Sequence, residues 1–169
     1  MSEAAGLHLR PPNPGDVEAL ARMHREFAAH YLGLAPDDFR MPDEVGLAAY
    51  IESELDGGAD TLELVAELNG EVVGALWARI EPPHPDARYQ LLPAVGQTQL
   101  HIDYVATSEA HRRRGVGTKL VAAAEEWGRE RGATVALTVT YAASPLSIPF
   151  WQERMGYRTR SVNLVKPLV

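Results

Sequence analysis

The chain has 169 residues, of which 46% are hydrophobic, 7% aromatic and 23% charged. That is enough for one domain with its own core, expected to span residues 1–169. The absence of cysteine and a formal charge of −7 exclude a disulfide framework, thiol or thiolate chemistry and a general nucleic-acid binder.

No apolar run approaches the ~18 residues of a membrane span and no secretory leader is visible, so a cytoplasmic protein with no membrane partner is expected. The charge is divided along the chain. Residues 1–98 hold 6 basic and 17 acidic side chains, net −11, whereas residues 99–169 hold 10 and 6, net +4.

In chain order, "LHLR" (Leu7 to Arg10) reads as a strand closed by the turn "PPNPGD". Asp16 is placed to cap a helix from Val17 to about Tyr31. An acidic second helix is expected from Asp43 to Leu55, ended by Gly57 and Gly58. "TLELVAEL" alternates as a strand over 61–68, Asn69-Gly70 is a type I′ hairpin signature, and "EVVGALWARI" returns antiparallel. The proline-rich stretch from Glu81 to Gln97 reads as a long connection. "TQLHIDYVAT" follows as a strand over 99–107, then a helix from Gly117 to Arg131 stopped by Gly132, then a strand over 134–140. That order makes a βαβ unit with the two strands parallel. The tail should hold a short helix from Ile148 to Met155, capped by Ser147, and a last strand from Tyr157 to Val165.

The turn "HRRRGVGTKL" joins the end of one strand to the start of a helix. Such a turn aims several backbone N–H groups into one concavity, and the helix dipole favours an anion there. A dinucleotide fingerprint would need glycine where Leu120 stands. A P-loop would need Gly-Lys followed by Ser or Thr, whereas the order here is Gly117, Thr118, Lys119. The pattern (Gln/Arg)-x-x-Gly-x-(Gly/Ala) does match, as Arg112-Arg113-Arg114-Gly115-Val116-Gly117.

In that stretch, with the strand before it, the helix and strand after it and Gly156-Tyr157 further on, the chain resembles the GNAT N-acetyltransferase superfamily. The likeness is strongest from about Leu100 to Tyr157. It implies an α/β fold, a mixed and splayed sheet of six to seven strands with helices on both faces, opened between strands 99–107 and 134–140. It further implies acetyl-CoA as cosubstrate and no metal. The backbone of Val105, Ala106 and Thr107 would pair with the pantetheine arm, and the N–H groups from Arg113 through Gly115, Val116 and Gly117 to Thr118 would hold the pyrophosphate beside Arg112 and Arg114. Dimers are common in that family, which leaves a homodimer open.

Acetyl transfer needs a neutral amine, a donor for the developing oxyanion and a tolerable leaving thiolate. An alkyl amine is mostly protonated at pH 7, so a cationic primary amine is the expected acceptor, and the acidic first half suits it. On the strand over 99–107, period two sets His101, Asp103, Val105 and Thr107 on one face, and either His101 or Asp103 is the candidate base or amine binder. A satisfied structural role for both is the competing reading. The family often places an acid tyrosine four residues before the Gly-aromatic pair, where this chain has Gln152; Tyr141 could reach the sulfur instead. His24 and His30 lie six apart, which does not make a helical metal pair. The function expected is a direct-transfer N-acetyltransferase. A CoA-binding regulatory module without transfer is the alternative, and a phosphate-ligand protein unrelated to CoA a third.

Overall fold

The computed structural model describes residues 6–55 and 57–168. Two compact units divide the chain, Met1–Val139 and Thr140–Val169. The first holds a five-stranded sheet in the order β1 (Leu7–Arg10), β2 (Thr61–Leu68), β3 (Glu71–Glu81), β4 (Gln99–Thr107), β5 (Val135–Thr138). The first four strands pair antiparallel and β4 pairs β5 in parallel, as the βαβ order requires. Asn69 and Gly70 have φ of 53° and 83°, the two positive values that a type I′ turn needs.

Helices cover both faces. Helix α1 (Val17–Leu34) and α2 (Leu47–Ser53) bury Leu20, Met23, Leu47 and Ile51 against Val65, Val72 and Ala75 of the sheet. Helix α3 (Val116–Glu130) buries Val116, Leu120, Val121 and Ala124 and sits on the opposite face, where it meets Gly74 and Leu100. Two bulges tune the sheet. Val73 is an extra residue of β3 against β2, and Asp103 is an extra residue of β4 against β3. Among the described residues no helix is long and apolar enough to cross a membrane.

Several expectations need correction. The sheet has five strands among the described residues, not six to seven. Residues 157–168 form no strand: Tyr157 donates its N–H to the Trp151 carbonyl at 2.8 Å and packs its ring on Trp151, while Val162 and Leu164 stay exposed. An alternating pattern needs a neighbouring strand to become one. The second helix starts at Leu47 rather than Asp43, because Gly46 at φ 87° begins it there. Asp16 makes no side-chain cap to α1; its carboxylate is taken by Arg10 and by the Asn13 N–H. In the second unit, helix α4 (Ser147–Pro149) runs into a wide π turn over Phe150–Arg154; Leu146 rather than Ser147 is its N-cap, with no side-chain bond, and the Ser147 N–H donates to Ser144 Oγ at 3.1 Å.

Candidate active site

The glycine-arginine turn is held from three sides. Buried Ser108 donates its N–H to the Val73 carbonyl at 2.9 Å, and its hydroxyl lies 2.8 Å from His111 Nδ1. The Glu109 N–H donates to Glu26 Oε2 on α1 at 2.9 Å. Arg113 and Gly115 then adopt φ of 62° and 83°, left-handed conformations flanking Arg114, and α3 begins at Val116. A non-glycine residue at positive φ is uncommon and is held here by the anchored ends of the turn. Alternating handedness turns successive N–H groups toward one concavity, and the N–H groups of Val116, Gly117 and Thr118 in the first turn of α3 have no helical acceptor. Arg113 and Arg114 are exposed, while Arg112 is half-buried with Nη1 4.0 Å from Glu109. The donors and charges fit a diphosphate.

Gly74 sets how closely this turn lies on the sheet. A Cβ there would stand 2.6 Å from Val116 Cγ1 and 3.2 Å from the Ala106 carbonyl oxygen. Gly128 plays the same part at the far end, where a Cβ would meet Leu100 at 3.1 Å.

Beside the turn, β4 loses its neighbour. Pairing with β5 covers Gln99 to Ile102 opposite Val135 to Thr138 and stops, and Thr138 Oγ1 donates to the Ile102 carbonyl at the last step. From Asp103 to Thr107 the strand is paired only with β3 among the described residues. The Ser108 N–H and the Ala106 carbonyl both point toward β3, so by alternation Val105 and Thr107 carry their N–H and C=O on the open edge. That edge can add an extended amide-bearing chain as a further strand.

The bulge at Asp103 corrects the expected face. Register pairs His101 with Arg79, Tyr104 with Trp77 and Ala106 with Ala75, all on the α1 side, but Val105 with Leu76 and Thr107 with Gly74 on the α3 side. His101 and Asp103 are therefore together, whereas Val105 and Thr107 are on the other face. Nor is either polar group deeply buried: the side chains are 21% and 51% exposed. Arg79 Nε donates to Asp103 Oδ2 at 3.0 Å and its Nη1 to Glu81 Oε2 at 3.1 Å, and His101 Nε2 lies 3.1 Å from the same Glu81 oxygen. Arg79 and Glu81 were not among the residues expected from sequence.

An aromatic group borders this cluster. Tyr104 packs on Trp77, Phe27 and His24 with centroids 5.1, 5.2 and 6.3 Å away. Burial first, and then the Glu26 carboxylate, pushes the Tyr104 phenol well above its ordinary range, so it stays protonated. Burial lowers the pKa of His24; for His30, burial and then the Arg112 charge lower it against an opposing pull from Glu109. Neither joins a metal-ligand group, and the described residues contain no such group.

The remaining candidates lie in the second unit. The Tyr141 carbonyl accepts the Ser144 N–H at 3.0 Å. Exposed Gln152, at the position where the resemblance expects a tyrosine, donates from Nε2 to Thr159 Oγ1 at 2.8 Å.

The family model for the acetyltransferase (GNAT) family matches residues 21–157, most of the chain. The chain belongs to the GNAT acetyltransferase family. No curated protein matches its sequence. Among solved structures, the GNAT chain is similar in fold to a transcriptional regulator from Bacillus halodurans, with a TM-score of 0.72, 22% identity, and coverage of 96% of this chain and 99% of that one. An acetyltransferase from Trypanosoma brucei gives a TM-score of 0.64 at 20% identity over 96% and 99%. An aminoglycoside acetyltransferase from an uncultured soil metagenomic sample, in complex with sisomicin, gives 0.66 at 17% over 99% and 100%. At these identities the likeness shows the GNAT fold.

Proposed function

We propose that residues 1–169 act as one N-acetyltransferase domain that moves an acetyl group from acetyl-CoA directly to a primary amine. The observation that carries this reading is the adjacency of two features, the diphosphate-sized nest at 112–118 and the open edge of β4 at Val105 and Thr107. A ligand with a diphosphate at one end and a chain of amides leading from it satisfies both at once.

In this mechanism the exposed arginines and the N–H groups of Arg113 to Thr118 bind the diphosphate, and the β4 edge orients the pantetheine. The Val105 N–H on the open edge is the candidate donor to the thioester oxygen as charge develops there, whereas the Ala106 N–H, also expected from the sequence, faces β3. The amine nitrogen forms the new C–N bond, its proton passes to His101, and the C–S bond breaks. The thiolate has an ordinary pKa near ~8.5, so CoA leaves without needing a strong acid. His101 rather than Asp103 is the base, because the Asp103 carboxylate is engaged by Arg79. Tyr141 remains the candidate for returning a proton to sulfur. Acceptors to try first are cationic amines, aminoglycosides among them in view of the similar enzyme that carries sisomicin.

The engaged side chain of Gln152 favours one second reading, a CoA-binding module without transfer. Thiol release from acetyl-CoA across a panel of aminoglycosides, polyamines and lysine peptides separates the two. The transferase releases thiol with at least one amine, and Gly117→Val abolishes that release and CoA binding while the protein stays folded. CoA binding that survives Gly117→Val would remove the loop assignment.

A further inference from the structure

Four side chains form an unbroken chain of contacts on the α1 side of the sheet, running Asp103, Arg79, Glu81, His101. Arg79 and Glu81 are two apart on β3 and so share a face, and the register sets Arg79 opposite His101. Glu81 is then the diagonal neighbour of His101, a separation that long side chains bridge. One oxygen, Glu81 Oε2, accepts from Arg79 Nη1 at 3.1 Å and lies 3.1 Å from the imidazole Nε2. On the other side of β4, the register partner of His101 on β5 is Leu137, an apolar residue. The charged groups facing the imidazole from β3 and β4 are thus Glu81, Arg79 and Asp103.

We infer that Glu81 is the positioning residue for His101, and that Arg79 locks Glu81 in place by tying it to Asp103. This rests on the reading of His101 as the base that takes the amine proton. A carboxylate beside Nε2 selects the neutral tautomer with hydrogen on that nitrogen, which puts the accepting lone pair on Nδ1. When His101 takes the proton, Glu81 stabilises the imidazolium, and the proton is later released to solvent as CoA departs. Arg79 opposes that effect by placing a positive charge near the ring while holding the carboxylate still. The two charges therefore pull the His101 midpoint in opposite directions, and the effect of Arg79 depends on whether Glu81 is there to be held.

The test uses the full chain, with the His101 ring signal followed by NMR against pH and assigned by its loss in His101→Gln. Glu81→Gln should lower the His101 midpoint by roughly one pH unit. The midpoint of the kcat/KM profile for acetyl transfer should fall with it, and kcat by roughly an order of magnitude, with KM for acetyl-CoA unchanged. Arg79→Gln should move both midpoints by a different amount in the wild type than in the Glu81→Gln background, and Glu81→Asp should restore part of the wild-type value. An unmoved His101 titration in Glu81→Gln, or an Arg79→Gln shift that is the same with and without Glu81, overturns the assignment. A titration that shifts while the kinetic midpoint stays put overturns it equally. Failure of the transferase reading shows separately, as absence of thiol release from the wild type with every amine, and the titration shifts of the single and double variants then decide on Glu81 and Arg79 alone.

Discussion

The Asp16 carboxylate accepts two bonds from the Arg10 guanidinium, at 2.7 and 2.9 Å, and a third from the Asn13 N–H at 2.8 Å. It ties the end of β1 to the turn that launches α1, and its side chain is only 7% exposed. The Arg10 hydrogen bonds, foremost, hold its pKa below the usual carboxylate range against the opposing effect of burial. A carboxyl whose pKa is depressed by folding adds stability in full above its unfolded pKa, near ~4, and loses it as pH falls through the folded value. Asp16→Asn should therefore cost about 2 kcal/mol at neutral pH, less than a fully buried pair because Arg10 is partly solvated. Urea unfolding at pH 7 and at pH 3 checks this, since the gap between wild type and variant should narrow at the lower pH.

At the level of elements, the seat of α3 on the sheet decides where the arginine turn stands. Gly74→Ala puts a Cβ 2.6 Å from Val116 Cγ1 and against the Ala106 carbonyl, so α3 must lift at the end that carries the turn. We expect a loss of about 1–3 kcal/mol in stability and weaker CoA binding, with Val116→Ala restoring part of both in the double variant. Thermal unfolding and a CoA titration on the four proteins of the cycle measure the coupling. These elements were legible in sequence because their signals are local: Asn69-Gly70 fixes the hairpin, and the run from Gly117 to Arg131 carries its own helical period. The bulge at Asp103 was not legible, since one inserted residue leaves the composition of β4 unchanged yet sends Val105 and Thr107 to the other face. Arg79 and Glu81 were missed for a related reason. The register of β3 on β4 is set across the long proline-rich connection, and no residue spacing in the chain reports it.

Charge organises the whole molecule in a way that its net value hides. Residues 1–98 carry net −11 and residues 99–169 net +4, and the exposed Arg113 and Arg114 stand in the second set. An anionic donor and a cationic acceptor would each meet the opposite sign, so both encounters weaken as salt shortens the reach of charge from about 30 Å at ~0.01 M to about 3 Å at ~1 M. KM for acetyl-CoA and KM for the amine should therefore both rise several-fold over that range, with kcat little changed. In the double variant Arg113→Ala/Arg114→Ala the acetyl-CoA response should flatten while the amine response persists, because the variant removes charge from the donor's side alone. An amine KM that stays flat or falls with salt would mean that the acceptor is not drawn in as a cation, and the acidic first half would then have no part in choosing it.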